Sequence, residues 1–520
     1  MQAANWLQRN LAVYIGNASA KRDFRAQLRG SRAIFLWGAY LLIMIGYALI
    51  MYAQVSRSSY YGGSMSVSET QGRLKEFYDQ ILYFLGAVVL LVAPGLTATT
   101  VATERQRRSL DLIFSAPVTP KYYLVGKMLS SYRYTWMLLI LSLPITSVCV
   151  VMGGATWSEV LTSYLLLSLH ALLLTAMSIV VSASVPKPVT AIMMSYLLTI
   201  VFAVGSTMLA AASVFAGGMR VSQEMAFTSQ FSPFLVGYSA DSYSYVFGRE
   251  TPNWIITMLV TLLFTKILLL GGGSVLSTTG ARETIGLRIH ALIYIGLLGF
   301  SVGAWVTSSV SYPGALLGVA AGWTLMPLLL AVPTIASFGR DRERKYWNDG
   351  LISIRQTLTG ARSGGLTFLL GLAFVGTVAY WMGLAQNGSA PSLMVGVPYL
   401  FWILAFWVFA WAVVRWLSAT MRSAQSAQVL FIALFAILLC VPPIVLSSID
   451  GNSIMDRMSI WSIWPFTPIT GGRERPVLAC VWGVGFLVIS AALVMASERR
   501  VRRLRMISRP IEGPPPLIGA

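Results

Sequence analysis

Repeated apolar runs of about 20 residues restrict the fold of this chain more than any other feature of its sequence. Each run is long enough to cross about 30 Å of hydrocarbon as a helix. Helices are favoured because backbone amides in lipid must find partners within their own segment. Charged residues make up only 11% of the chain, against about 25% in soluble domains. A soluble helical core would not need so many runs, so the sequence predicts an all-α polytopic membrane protein.

The runs predict twelve transmembrane helices. They are expected at 33–54, 78–101, 134–153, 159–183, 189–214, 252–272, 288–309, 314–337, 366–384, 398–417, 428–448 and 476–496. The connections at Pro186–Pro188 and Tyr312–Pro313 are only a few residues long. Either of these two pairs of runs could therefore form one broken hairpin instead of two full spans.

Lys and Arg residues are concentrated in alternate connections. With the N-terminus inside, most of the 38 Lys and Arg residues lie in cytoplasmic segments. This is the positive-inside pattern, and it predicts that both termini are cytoplasmic. Topology and attraction to anionic headgroups account for most of the net charge of +19. We therefore expect membrane lipids as partners, no nucleic acid, and a multi-pass protein of the inner or plasma membrane.

The chain is expected to have four parts. Residues 1–32 place Phe24 and Leu28 among Lys and Arg residues, which is typical of an amphipathic helix in the membrane interface. Two six-span halves, 33–275 and 276–498, precede a basic cytoplasmic tail at 499–520. Because each half has an even number of spans, the halves would form a parallel pseudo-repeat.

Each half also has a long outer loop that contains a Pro-Phe pair, and we expect short helices there. The two pairs are interpreted as an outer gate, or as a cap on the bundle. The residues are Pro233, Phe234, Pro465 and Phe466.

Residues able to bind metals or carry out catalysis are scarce. The three cysteines fall within spans without metal-ligand spacing, and there are only two histidines. We therefore predict no catalytic and no metal site. His170 and Lys266 lie within predicted spans and are candidates for a translocation path, although His170 also suits packing and Lys266 could extend toward the cytoplasmic face.

The segment from Thr103 to Lys127 has a pattern that topology does not require. A charged cluster comes first, and Leu110, Ile113 and Phe114 then share one helical face. Pro117 and Pro120 interrupt the helix, which starts again toward the third span. We expect a short helix across the cytoplasmic membrane surface, with Leu110–Phe114 facing a partner or the bilayer.

This segment resembles the coupling region of permease subunits of ABC transporters, in the type 2 exporter family. The resemblance rests on a shared order of charges, proline and Gly-Lys. The matching residues are Glu104, Arg105, Ser109, Leu110, Asp111, Leu112, Phe114, Ser115, Pro117, Val118, Thr119, Leu124, Gly126 and Lys127. The segment before the first span likewise resembles the interfacial elbow helix of that family. The resemblance covers 1–275 and is weaker in the second half.

The resemblance implies that this coupling helix contacts an ATP-binding subunit. The residues expected at that interface are Glu104, Arg105, Arg107, Arg108, Leu110, Asp111, Leu112, Ile113, Phe114 and Pro117. A second, divergent coupling element is expected in the other half, without the Pro pair or the Gly-Lys. Its residues are Arg342, Glu343, Arg344, Lys345 and Asp349.

The chain itself has no phosphate-binding loop, because Lys121 stands where the first glycine would be and Met128 follows Lys127. We therefore expect a transport subunit that is not an enzyme and binds no cofactor, with ATP and Mg in separate ABC ATP-binding subunits, two by analogy. Further permease, periplasmic or extracellular subunits remain open.

The function indicated is ATP-driven export of a hydrophobic or amphipathic substrate. The alternative is a secondary transporter or channel independent of ATP, which would place ionisable groups at mid-membrane. A membrane enzyme or a structural scaffold would fit less well.

Overall fold

The structure, a computed structural model, describes residues 17–28, 31–60, 67–115, 118–217, 232–241, 243–246, 249–276, 281–306, 365–386, 393–421, 427, 430–431, 433–434 and 476–507. The chain divides into two compact units, Met1–Tyr294 and Ile295–Ala520.

The first unit contains long apolar helices, several short helices and one β-hairpin. They are α1 (Ala18–Leu28), α2 (Ser31–Tyr60), α3 (Val67–Thr97), α4 (Thr100–Gln106), α5 (Ser109–Ser115), α6 (Pro120–Val151), α7 (Trp157–Ser184), α8 (Pro188–Gly217), α9 (Val236–Asp241), β1 (Tyr243–Val246), β2 (Arg249–Pro252) and α10 (Asn253–Leu276). The boundary between the units falls within α11 (Ala281–Val306). The second unit continues with α12 (Gly365–Gln386), α13 (Leu393–Thr420) and α14 (Pro476–Ile507).

Within the described residues, nine helices are long and apolar enough to cross a membrane. They are Phe35–Gln54, Thr70–Gln106, Pro120–Val151, Trp157–Ser184, Pro188–Thr207, Asn253–Gly273, Phe368–Gln386, Gly396–Leu417 and Pro476–Arg500. These helices confirm an all-α polytopic membrane protein and include every span predicted for 33–275. The Pro186–Pro188 connection separates two helices, α7 and α8.

Three predicted spans are not among the nine. The span predicted at 288–309 corresponds to a shorter apolar stretch of α11, Gly286–Ser301. The span at 314–337 lies outside the described residues, and the one at 428–448 lies almost wholly outside them. The count of twelve, the two-half arrangement and the cytoplasmic termini therefore stay predictions.

The second span continues beyond the hydrocarbon. Thr70–Gln106 contains 37 residues, a length of about 55 Å as helix, against about 30 Å of hydrocarbon. The backbone hydrogen-bond pattern of α3 is interrupted at Pro94, the proline inside this helix. Helix α4 follows after the turn at Ala98–Thr99. Helices α4 and α5 follow at the C-terminal end of this long span, next to the start of α6.

The third span begins earlier than the sequence predicted. Helix α6 starts at Pro120, whereas the predicted span began at 134. The Thr119 side chain accepts a hydrogen bond from the Tyr122 backbone N–H at 3.3 Å, which caps the helix. Proline at the first helical position has no N–H to leave unsatisfied. The helix that was expected to start again after Pro120 is therefore the beginning of the third span itself.

Helix α7 is the central element of the first unit. It packs against α3, α6, α8, α9 and α10, and most of its side chains are buried. Its N-terminus has a capping box, in which the Thr156 N–H donates to Glu159 Oε2 at 2.9 Å and the Glu159 N–H donates to Thr156 Oγ1 at 3.3 Å. Helix α2, by contrast, buries few of the side chains along its span.

The second unit is held together by aromatic packing between α13 and α14. The rings of Trp402 and Phe406 stack at 5.8 Å, and Phe406 meets Phe486 edge-on at 5.6 Å. Near the end of the span, Arg415 Nη2 lies 3.5 Å from Glu498 Oε1. Helix α14 continues to Ile507, so the basic segment predicted to begin at 499 starts as a continuation of the last span.

The segment predicted as the outer loop of the first half, called the outer segment below, contains both helix and strand. Helix α9 packs on α7 and α3. Next to it, β1 and β2 form an antiparallel hairpin in which Tyr243 pairs with Pro252; this hairpin was not predicted. The Pro233 carbonyl oxygen lies so close to α3 that a Cβ built on Gly86 would be 2.5 Å from it. Only glycine allows this approach.

We predict that Gly86→Ala destabilises the protein by about 1–3 kcal/mol, because the added methyl overpacks the contact between α3 and the Pro233 carbonyl. Gly72→Ala is the matched control on the same helix, because a Cβ there meets nothing within 4 Å. Thermal unfolding of the purified protein in detergent measures both. Equal unfolding temperatures for the two variants would contradict the close packing of the outer segment.

Candidate functional site

Helix α4 is fixed to the end of α7 by polar contacts. The backbone N–H groups of Val101 and Ala102 both donate to Ser182 Oγ at 3.1 Å. One turn further along, Arg105 Nη2 donates to the Ala183 carbonyl at 2.5 Å. The serine hydroxyl satisfies N–H groups that the first turn of α4 cannot pair internally. The first part of the segment is therefore attached to a buried span at both of its ends.

A left-handed residue separates α4 from α5. Arg108 has φ +56°, a conformation that costs a residue with a side chain about 1 kcal/mol. The turn is closed by the Arg107 N–H donating to the Thr103 carbonyl at 3.0 Å and the Arg108 N–H donating to the Arg105 carbonyl at 3.1 Å. Both arginine side chains are exposed.

Helix α5 has an inner and an outer side. Leu110 is buried in a cluster with Tyr123 and Leu124 of α6, and Ile113 and Phe114 pack against that cluster. The Phe114 and Tyr123 rings meet edge-on at 5.7 Å. Leu112, in contrast, is 74% exposed.

The expectation that Leu110–Phe114 as a whole faces a partner or the bilayer therefore needs correction. Helical periodicity turns residue 112 away from residue 110, so Leu110 and Phe114 anchor the helix inside the chain. The apolar side chain available outside is Leu112, which follows the exposed Arg107 and Arg108 in the sequence.

The inner cluster connects α5 with three spans. Besides α6, it includes Ile179 of α7 and Leu269 of α10. A displacement of α5 would therefore act directly on side chains of the third, fourth and sixth spans of the first unit. Well-packed interiors transmit such displacements because they have few voids to absorb them.

Lys127 joins three segments through an ion cluster. Its Nζ lies 2.8 Å from Asp23 Oδ2 of α1 and 2.7 Å from Glu104 Oε1 of α4. Tyr123 donates its hydroxyl proton to Glu104 Oε2. The Lys127 side chain is only 10% exposed, so the two carboxylates replace much of the water that its ammonium would otherwise bind.

Asn17 completes the attachment of α1 to α6. Its Nδ2 donates to the Tyr122 carbonyl at 3.0 Å, and its Oδ1 accepts from the Ala20 N–H at 3.2 Å, which caps α1. A Cβ on Gly126 would lie 2.7 Å from Asn17 Oδ1. The Gly-Lys pair of the sequence thus has two structural roles: Gly126 leaves room for Asn17, and Lys127 binds the carboxylates.

Asp23 and Asn17 were not predicted from the sequence. Asp23 is the only acidic residue in 1–32, which is otherwise rich in Lys and Arg. This isolated negative charge could have indicated an ion pair, but its partner Lys127 is 104 residues away along the chain. Asn17 had no comparable signal before its contact with α6 was known.

The remaining predicted site residues are dispersed. His170 is buried in α7 with Nδ1 2.8 Å from the Leu166 carbonyl of the same helix, and Lys266 is exposed on α10. Pro233 is buried in the outer segment and Phe234 is half-buried. Asp111 lies in α5. The others lie outside the described residues, namely Pro117, Arg342, Glu343, Arg344, Lys345, Asp349, Pro465 and Phe466.

We expect Lys127→Met to destabilise the protein by about 1–3 kcal/mol, because it leaves two partly buried carboxylates without their cation. Lys127→Arg retains the charge and should lose less. Lys187→Met removes an exposed lysine between α7 and α8 and should stay within about 0.5 kcal/mol of the parent protein. Unfolding by heat in detergent measures all three. If Lys127→Met is as stable as Lys187→Met, the cluster does not hold the segments together.

Comparison with known proteins gives one family. Residues 58–270 match the family model described as ABC-2 family transporter protein. The match runs from the end of α2 into α10 and includes α4, α5 and Lys127. No curated protein matches the chain. The match covers less than half of the chain, and over that region it supports an ABC-2 type permease.

Proposed function

We propose that this chain is the transmembrane subunit of an ATP-driven exporter, and that separate ATPase subunits bind it at the outer side of α5. The observation that carries the proposal is the exposed Leu112 on a helix whose inner side is anchored in the bundle; the exposed Arg107 and Arg108 come just before this helix in the sequence. We name Arg107, Arg108 and Leu112 the docking surface.

The chemistry of the docking surface suits a protein partner. A leucine side chain that is 74% exposed costs free energy in water, and this cost is recovered when an apolar pocket covers it. The two neighbouring arginines would select a pocket with acidic residues at its rim. Position 108 is an arginine although its left-handed backbone conformation favours glycine. This is consistent with a role for the guanidinium outside the chain.

The mechanical part of the proposal follows from the inner side of α5. When two ATPase subunits close on ATP, the docking surface would be displaced, and Leu110 would press on Leu124 of α6. The ion cluster at Lys127 would keep α4 in register with α1 and α6 during this movement. ATP and Mg would be bound by the ATPase subunits, and this chain would supply the moving spans.

The rest of the proposal extends the same interpretation to the whole chain. The two predicted halves would form a fused pseudo-dimer with twelve spans and cytoplasmic termini in the inner or plasma membrane. The divergent element at 342–349 would give the second ATPase subunit a weaker contact. Few charges within the spans suit a hydrophobic or amphipathic substrate that leaves near the outer segment.

We predict that Leu112→Asp abolishes co-purification of the ATPase subunit while the unfolding temperature stays that of the parent protein. The added carboxylate cannot enter an apolar pocket, and at this exposed position it disturbs nothing inside the chain. Val189→Asp is the matched control, because Val189 is 70% exposed at the start of α8. Co-expression with the ATPase gene from the same genomic neighbourhood supplies the partner.

Leu110→Asp, by contrast, is expected to impair folding, so the two variants distinguish an effect on stability from an effect on ATPase binding. It buries a carboxylate in the inner cluster and should lower the unfolding temperature. If Leu112→Asp retains the ATPase subunit as well as Val189→Asp does, the docking assignment is wrong.

A further inference from the structure

Helix α1 turns its charged side outward. Phe24 and Leu28 pack against a cluster that contains Tyr134 and Leu138 of α6, so the apolar side of α1 is covered by the protein. On the other side three cations are exposed, which we name the cationic face: Lys21, Arg22 and Arg25. Residues 21 and 25 are one helical turn apart, and residue 22 lies beside them. The helix therefore offers charge, and not apolar surface, to its surroundings.

The location of α1 indicates what meets this face. The helix ends at Leu28, and the membrane-crossing part of α2 begins at Phe35. Only six residues lie between them along the chain, so we infer that α1 lies at the level of the lipid headgroups. There, the group of complementary charge is the phosphate of an anionic phospholipid, and each nearby Lys or Arg contributes about 1 kcal/mol of attraction.

A row of charges leads from the cationic face to α4. Arg22 Nη2 lies 3.1 Å from Asp23 Oδ1, and the Arg22 side chain is 75% exposed. The other oxygen of Asp23 binds Lys127 at 2.8 Å, and Lys127 binds Glu104 at 2.7 Å. Asp23 is therefore shared between a surface guanidinium and the buried ammonium that holds α4.

We propose that the cationic face binds an anionic phospholipid headgroup, and that Arg22 transmits this binding to α4 through Asp23 and Lys127. When a lipid phosphate binds the Arg22 guanidinium, Asp23 loses its contact with Arg22 and keeps its contact with Lys127. The Lys127 ammonium is then drawn toward Asp23 and holds Glu104 less firmly. Anionic lipid would thereby loosen α4 and adjust the position of α5. This regulatory step rests on the proposed function, whereas the lipid binding does not.

The first experiment measures lipid binding to the full-length chain. Native mass spectrometry of the detergent-purified protein should detect retained phosphatidylglycerol in several-fold excess over phosphatidylcholine. The triple variant Lys21→Gln/Arg22→Gln/Arg25→Gln should lose this excess. Lys187→Gln, which removes an exposed cation elsewhere, should keep it. Equal retention by the triple variant and by Lys187→Gln would overturn the site.

The second experiment measures transmission. In lipid nanodiscs, replacing part of the phosphatidylcholine by phosphatidylglycerol should speed amide hydrogen exchange in Thr100–Gln106 several-fold. The response should be lost in Arg22→Gln and largely restored in Arg22→Lys. A full response in Arg22→Gln would overturn the transmission through Asp23. The same response to inorganic phosphate in neutral nanodiscs would overturn the lipid as its source.

Neither experiment needs an ATPase subunit, so the two proposals can fail separately. Intact ATPase binding by Leu112→Asp, together with the expected lipid responses, would remove the proposed function alone. Loss of the lipid responses, with ATPase binding as predicted, would remove only the lipid site and its transmission.

Discussion

The first unit depends on one buried ammonium group. Lys127 binds carboxylates of α1 and α4 from its place in α6, at 2.8 and 2.7 Å. Without this cation the two negative charges would repel each other in a site with little water, and the attachment of α1 and α4 to α6 would weaken. The elements that surround α5 keep their positions because this cluster and the Ser182 hydroxyl hold them.

The position of α5 follows from this frame. Its inner side contacts α6, and through the same cluster reaches α7 and α10, whereas its outer side carries the exposed Leu112. Such a helix can bind a partner through its exposed apolar residue and transmit the partner's movement to the spans that it contacts. The ABC-2 match over 58–270 assigns the same region to a family of transporters. Structure and comparison thus point to the segment that the Gly-Lys pattern had indicated.

Much of this could be predicted from the sequence where the determining interactions are local. Apolar length alone predicted every span within 33–275, and the order of charges, proline and Gly-Lys singled out the segment that forms α4 and α5, whose coupling role stays a prediction. Contacts between distant residues were missed. Asp23 reaches Lys127 across 104 positions, and Asn17 explains Gly126 only after α1 is placed on α6. Leu112 was grouped with Leu110, although a separation of two residues turns them to different sides of a helix. The hairpin at Tyr243–Pro252 had no apolar pattern to reveal it.

The central claim is that α5 meets the ATPase subunit through its outer side and the bundle through its inner side. Site-specific photo-crosslinking tests it most directly, with a photoreactive amino acid at position 112, at position 110 or, as a control, at position 189. In membranes that contain the ATPase subunit, the account predicts an intermolecular crosslink from 112 and none from 110 or 189. A crosslink to the ATPase subunit from 110, with none from 112, would contradict it.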